Sequence, residues 1–138
     1  MADKSIVFCT DFSPNADKAF DVAKQLAAEW GARLFVVHAV SAGDQLAAAA
    51  LTTWLPFKTK VTERLTAKYV ATAGVEAEAV VLRGSPAKEI VGYIATRRPD
   101  LVVIGVRGES AARGFRSGGS ITNRIINNSA APVLCVPD

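Results

Sequence analysis

Cysteine and histidine are scarce in this 138-residue chain. The two cysteines, Cys9 and Cys135, each lie inside an apolar run, so we expect buried, protonated thiols and no disulfide framework. The single histidine, His38, lies near the end of an apolar run, which favours a partly buried structural role over a catalytic one. His, Cys, Asp and Glu form no cluster of the kind that holds a transition metal, so we expect no metal site made by the protein alone.

Long apolar runs and a strong charge excess are also missing. No segment reaches the roughly 18 apolar residues of a membrane span, and charges flank the short apolar run near the amino terminus, unlike a signal peptide. We therefore expect a cytoplasmic protein with no membrane contact. Its length fits one domain over residues 1–138, and a composition that is 50% hydrophobic and 21% charged excludes a disordered or collagen-like chain.

Five short apolar runs, rich in Val, Ile and Phe, do not alternate with polar residues. Such runs are typical of strands buried on both faces of a parallel sheet that helices cover. They span residues 6–9, 34–40, 79–82 and 101–104, and the last extends from Val133 to Val136.

Helical patterns separate these runs. Residues 16–30 have apolar side chains at helical spacing, with Ser13 as the expected cap, Pro14 at the first position and Gly31 at the exit. Further helices are predicted over about residues 57–73, after Ser85, and over about 120–128. Pro56 is expected to interrupt the helix near it, which leaves Trp54 and Leu55 in a kink or loop. The alternation predicts an α/β fold, a three-layer sandwich with right-handed crossovers.

Ligands of open parallel sheets bind beyond the carboxyl ends of the strands. The loop after the fourth run, residues 105–120, is long and glycine-rich, and it carries Arg107, Arg113 and Arg116. Glycines let backbone N–H groups approach phosphate oxygens, and arginines add bidentate donors. Between Gly105 and Asn128 the charges sum to +3, which is the net charge of the whole chain. That confinement favours a local anionic ligand over a basic face for nucleic acid.

Two familiar nucleotide-binding motifs do not fit. The stretch from Gly114 to Ser120 resembles a Walker A loop but has no lysine after its second glycine, and it follows the fourth strand. No G-x-G-x-x-G follows the first strand, which argues against a dinucleotide-binding dehydrogenase.

End to end, the chain resembles the universal stress protein A family, from Asp11-Phe12-Ser13 to the Pro-Val-Leu-Cys-Val ending. The family signature is G-x2-G-x9-G-(S/T), and Gly105 and Gly108 match its first half. With nine residues between them, Gly108 is followed by Gly118, and the next residue is Gly119. Counting ten residues gives Gly119-Ser120, a register with one extra loop residue that keeps the serine before the last helix, and we prefer it.

The resemblance implies a five-stranded parallel sheet of order 3-2-1-4-5, with Asp11 and Gly105 in one crevice. It favours the ATP-binding branch of the family over the branch that binds none. Asp11 would then face the ribose or a nucleotide-bound Mg²⁺, and the Val40 backbone would face adenine. The phosphates would lie on residues of the glycine loop and the helix after it, namely Gly105, Arg107, Gly108, Gly118, Gly119, Ser120 and Ile121.

The function implied is binding of ATP or a related adenine nucleotide as a sensor or structural ligand. No catalytic base is evident, so at most slow hydrolysis is expected, and enzyme activity stays open. The alternative is a dimeric interaction module of the same fold that binds no nucleotide. In either case the apolar edge from Val133 to Val136 predicts a homodimer. Receiver and flavodoxin-like proteins are remote alternatives, and nucleic acid is a weak one.

Overall fold

Five parallel strands form one sheet in the order β3-β2-β1-β4-β5. The structure, a computed structural model, describes residues 3–41, 54–106 and 120–138. The central strand β1 pairs with β2 on one side and with β4 on the other. The strands are β1 Ser5–Cys9, β2 Arg33–Val40, β3 Ala77–Arg83, β4 Leu101–Val106 and β5 Val133–Pro137. The order implied by the resemblance is therefore confirmed.

Helices cover both faces of this sheet. They are α1 Pro14–Trp30, α2 Trp54–Lys68, α3 Pro86–Arg97 and α4 Ser120–Asn128, with a short 3₁₀ turn at Val70–Thr72. Helix α1 begins as its sequence predicts, because Ser13 Oγ accepts the N–H of Ala16 at 3.2 Å. It ends at Gly31, whose φ of 65° is the left-handed conformation that a helix exit needs.

Two apolar layers hold the sandwich together. One layer lies between the sheet and α1 and α2, with Phe8, Phe20 and Tyr69 among its buried side chains. The other lies between the sheet and α3 and α4, and it includes Phe35, Ile94 and Ile125. The alternation of side chains along β1 feeds both layers, which is why its run is apolar without a break.

Three expectations were wrong in detail. Trp54 and Leu55 are helical, and Pro56 lies in the first turn of α2, where a missing N–H breaks no intrahelical bond. The same helix ends at Lys68, earlier than expected, and Gly74 turns the chain with a φ of 72°. Cys135 is only half-buried, because β5 has a neighbouring strand on one side only within the described residues.

Candidate functional site

The strand order reverses between β1 and β4, and this reversal brings two chain segments to one edge of the sheet. Cys9 is in register with Ile104 of β4 and with Val37 of β2. Asp11 lies two residues after the end of β1, and Gly105 is the penultimate residue of the adjacent strand β4, so both lie at the carboxyl edge of the sheet. In open α/β sheets this is the place where ligands bind.

The turn after β1 has one strained residue, and side-chain hydrogen bonds hold its backbone in place. Phe12 has a φ of 66°, a left-handed conformation that costs a bulky residue about 1–2 kcal/mol. Two side-chain bonds hold it: Phe12 N–H donates to Thr10 Oγ1 and Ser13 N–H donates to Asp11 Oδ1, each at 2.9 Å. One oxygen of the exposed Asp11 carboxylate is thus used by the turn, and the turn fixes where that carboxylate lies.

A hydrogen-bond chain ties this turn to α2. Tyr69 Oη–H donates to Asp17 Oδ1 at 2.9 Å, so Thr10 Oγ1–H is the donor to Tyr69 Oη, also at 2.9 Å. The other Asp17 oxygen lies 3.3 Å from Lys68 Nζ. Burial, together with the nearby Asp17, outweighs the Thr10 hydrogen bond and raises the pKa of Tyr69 to about 12, so the phenol stays protonated and the chain keeps its direction.

Aromatic and cationic groups surround the Phe12 ring. The guanidinium carbon of Arg64 lies 3.8 Å from its centroid, and the His38 ring lies 4.8 Å away. Tyr69 stacks at 6.2 Å with an interplanar angle of 28°. These contacts hold the ring, and they place the exposed Arg64 beside the turn that carries Asp11.

The carboxyl end of β2 forms the other wall. His38 Nδ1–H donates to the Thr10 carbonyl at 2.9 Å, so the histidine braces the turn, in keeping with the structural role expected for it. Val40 is 1% exposed, and its carbonyl accepts the N–H of Gly84 at 3.0 Å. Gly84 has a φ of 136°, a backbone conformation that residues with a side chain rarely adopt, so glycine is favoured at this turn.

Gly105 of β4 lies close against the start of α1. A Cβ on Gly105 would lie 2.8 Å from the Asn15 carbonyl oxygen and 3.2 Å from Asn15 Nδ2. Asn15 is 5% exposed, and within the described part of the chain its Oδ1 has no hydrogen-bond partner. A buried amide thus lies under the first residue of the glycine-rich segment.

The thiols take no part in this site. Burial raises the pKa of Cys9 from 9.0 to about 12, so the thiol stays protonated and is a poor nucleophile. Burial also raises the pKa of Cys135, on the edge strand β5.

The structure brings some of the predicted site residues together. Asp11, Val40 and Gly105 all stand at the carboxyl edge of neighbouring strands. Ile121 is exposed in the first turn of α4. Ser120 is the first described residue of α4. The remaining predicted residues, Arg107, Gly108, Gly118 and Gly119, lie outside the described residues.

Sequence reasoning missed two side chains of this site, those of Tyr69 and Asn15. The hydroxyl of Tyr69 pairs with Thr10, 59 residues away, and no local pattern in the sequence signals that contact. Asn15 follows Pro14 at the start of α1, and its burial is a second feature that the sequence does not state directly. Only the apolar neighbours at Ala16 and Ala19 signalled that this asparagine faces inward.

Two kinds of feature are absent from the described residues. No three His, Cys, Asp or Glu side chains in residues 3–41, 54–106 and 120–138 come close enough to hold a metal ion. Within the same ranges no helix has the length and apolar character to cross a bilayer.

Comparisons with known proteins agree with this architecture. Residues 3–137 match the model of the universal stress protein family. A universal stress protein from Thermus aquaticus is 35% identical over 135 residues, which cover 96% of this chain and 98% of that protein.

Two solved structures share the fold at lower identity. A universal stress protein in complex with cAMP has a TM-score of 0.70 and 24% identity, covering 99% of this chain and 98% of its own. The universal stress protein of Archaeoglobus fulgidus in complex with dAMP has a TM-score of 0.70 and 21% identity, covering 99% of both chains.

Proposed function

Because the chain belongs to the universal stress protein family, we propose that it binds an adenine nucleotide, ATP with Mg²⁺, in the crevice between β1 and β4. The observation that carries this proposal is the meeting of the Asp11 turn and Gly105 at the strand-order reversal. Two structural relatives that carry cAMP and dAMP support an adenine nucleotide as the ligand class.

Each wall of the crevice has a role in this proposal. The free oxygen of Asp11 accepts a ribose hydroxyl or a water on the nucleotide-bound Mg²⁺, and the backbone at Val40 faces adenine. The glycine-rich segment after Gly105 holds the phosphates through N–H groups, together with Arg107 and the start of α4. The nucleotide serves as a sensor or structural ligand, with slow hydrolysis at most, since His38 already uses Nδ1 on the Thr10 carbonyl.

The test is a thermal-shift and calorimetric titration with ATP and Mg²⁺. A ligand at 100 times its Kd adds about 2.7 kcal/mol of stability. Asp11→Asn keeps an acceptor for Ser13 N–H but removes the charge, so we expect it to weaken ATP·Mg²⁺ binding about tenfold while the fold persists. Asp21→Asn, on the exposed side of α1, is the matched control and should bind as the wild type does. Absence of any shift at millimolar ATP would refute the proposal.

The open edge of the sheet favours a homodimer as well. In the described chain β5 pairs only with β4, and its Leu134 is 36% exposed. An apolar edge strand of this kind pairs readily with a second copy about a two-fold axis. If no nucleotide binds, this surface supports the second candidate function, a dimeric interaction module of the same fold.

A further inference from the structure

Arg64 is a charged side chain that the fold holds beside the crevice without an ion pair. Its guanidinium carbon lies 3.8 Å from the centroid of the Phe12 ring, close to van der Waals contact. Within the described residues the exposed Arg64 makes no ion pair and no side-chain hydrogen bond. The N–H groups of a guanidinium lie in its own plane, so a ring against one face leaves them able to donate to another acceptor.

The ring that holds Arg64 belongs to the strained residue of the turn. Phe12 has a φ of 66°, and the rings of His38 and Tyr69 lie 4.8 Å and 6.2 Å from its own. Residues kept in such conformations by their surroundings cluster at binding sites. The Phe12 ring is thus a fixed surface, and an arginine in contact with it has a defined position next to Asp11.

The strand from which Arg64 approaches indicates the part of a nucleotide that it faces. Strand β1 lies between β2 and β4, and the glycine-rich segment departs from β4. Arg64 comes from the other side, because α2 packs on β3 and because His38 of β2 contacts the same Phe12 ring. In the proposed binding mode adenine lies at β2 and the 5′-phosphates lie beyond β4. The ribose is then the part of the nucleotide nearest to Arg64.

The charges at this turn suit two different groups on a ribose. Asp11 has one oxygen bonded to Ser13 N–H, and its other oxygen is an acceptor for a hydroxyl. Arg64 has only donors and suits an anion. Four of the five charged residues of α2 are basic, which adds positive potential on this side. Dinucleotide-binding folds use the same two residue types, an acidic residue for a ribose hydroxyl and an arginine for a ribose phosphate.

We infer that the site prefers an adenosine nucleotide with an additional phosphate on the 2′ or 3′ oxygen of its ribose, and that Arg64 binds this phosphate. This inference rests on the proposed function and names the class of nucleotide. Arg64 donates two N–H groups to the phosphate, and Asp11 accepts the remaining ribose hydroxyl. The guanidinium then has the anionic partner that the described residues do not supply.

Calorimetric titration with three ligands tests the preference. ADP, adenosine 2′,5′-bisphosphate and adenosine 3′,5′-bisphosphate carry the same number of phosphates, so they differ in where the second phosphate lies. We expect one bisphosphate to bind wild type about tenfold more tightly than ADP, or better, and its identity tells which ribose oxygen carries the phosphate. If ADP binds as tightly as both bisphosphates, the inference is wrong.

Arg64→Met tests the residue, because it keeps a long side chain over Phe12 and removes the donors. It should lose about tenfold in affinity for the preferred bisphosphate, with ADP affinity unchanged within about twofold. Arg97→Met is the matched control, since its guanidinium also lies over a ring, that of Phe35 at 4.2 Å, on the opposite face of the sheet. It should keep the preference of the wild type.

Three results with the variants would overturn the role of Arg64. They are retention of the preference by Arg64→Met, an equal loss in Arg97→Met, and an equal loss of ADP and bisphosphate affinity in Arg64→Met, which would mean that Arg64 only holds the turn. If Arg64→Met does not fold, Arg64→Glu decides at the same exposed position. Its reversed charge should make ADP the tighter ligand, and a preserved bisphosphate preference would refute the inference.

The inference and the proposed function fail separately in this experiment. If wild type binds ATP and ADP without preferring a bisphosphate, only the inference is wrong. If wild type binds a bisphosphate through Arg64 but neither ATP nor ADP, the ATP proposal is wrong and the ribose-phosphate site stands. If wild type binds none of these ligands, both are wrong.

Discussion

The hydroxyl of Tyr69 links the turn after β1 to helix α1 by two hydrogen bonds. That hydroxyl receives a hydrogen bond from Thr10 and donates one to Asp17, and the tyrosine is 1% exposed. Its ring also packs edge-on against Phe8 at 5.3 Å. Tyr69 therefore contributes its ring to the apolar layer and its hydroxyl to the hydrogen-bond chain between Thr10 and Asp17.

Removal of this hydroxyl should destabilise the fold measurably. Tyr69→Phe leaves the buried Thr10 hydroxyl without its acceptor, a loss of about 1–3 kcal/mol in the free energy of unfolding. Urea unfolding followed by circular dichroism measures it. Tyr93→Phe is the control, since its hydroxyl has no partner in the described structure, and an equal loss in both variants would contradict the role of the chain.

Cys9 gives the stability a defined dependence on alkaline pH. Its pKa is raised by burial from 9.0 to about 12, so the unfolded thiol loses its proton first. The resulting stabilisation is complete below about pH 9 and falls by about 1.4 kcal/mol per pH unit as the pH rises from 9 to 12. Tyr69 adds to this slope only above about pH 10, the ordinary pKa of tyrosine.

Unfolding by urea at several pH values between about 8 and 10.5 tests this slope. Cys9→Ala should be less stable at every pH but should lack the Cys9 part of the decline between pH 9 and 10. Cys135→Ala, at the half-buried thiol, should retain it. An identical slope in wild type and Cys9→Ala would exclude the buried thiol as its source.

At the scale of elements, α1 and α3 begin with the same Ser-Pro pair but are capped differently. Ser13 Oγ accepts the N–H of Ala16, whereas Ser85 makes no side-chain cap bond. Ser13→Ala should therefore lower the free energy of unfolding by about 1 kcal/mol, and Ser85→Ala by clearly less. Chemical denaturation of the two variants measures the difference, and equal losses would contradict the assignment of the cap.

Strands and helices whose signals are local were predictable from the sequence. The run at residues 6–9 and the helix between Pro14 and Gly31 carry their own periodicity and caps, so their positions were correct. The start of α2 was predicted wrongly. Proline breaks the interior of a helix but is tolerated in its first turn, and the sequence alone does not show in which of these places Pro56 lies.

In the candidate site, too, the residues with a local sequence signal were predicted and those without one were not. Asp11 and Gly105 were found because each ends an apolar run, and the strand order came from a resemblance, not from a local signal. Asn15 and Tyr69 escaped prediction because their roles depend on contacts with Gly105 and Thr10, distant in sequence. Burial of a polar side chain is a property of the assembled sheet and helices.

For the whole molecule, we propose that β5 is the surface through which two copies meet. Leu134→Lys places a charge on the open edge, where burial of an unpaired lysine in an interface is costly. We expect this variant to be a folded monomer under conditions in which the wild type sediments as a dimer. Leu55→Lys, at the 69% exposed position on α2, is the control and should stay dimeric. A monomeric wild type, or a dimeric Leu134→Lys, would refute the proposed interface.

The hydrogen bond from Phe12 N–H to Thr10 Oγ1 has a consequence for the dynamics of the crevice. This amide is the first donor of a chain that passes through Thr10 and Tyr69 to Asp17, and then to Lys68. Its exchange with solvent deuterium requires the turn to open, which is easiest when α2 leaves the sheet and takes Tyr69 with it. The exchange rate of one backbone proton beside Asp11 thus reports how firmly a helix far along the chain is docked.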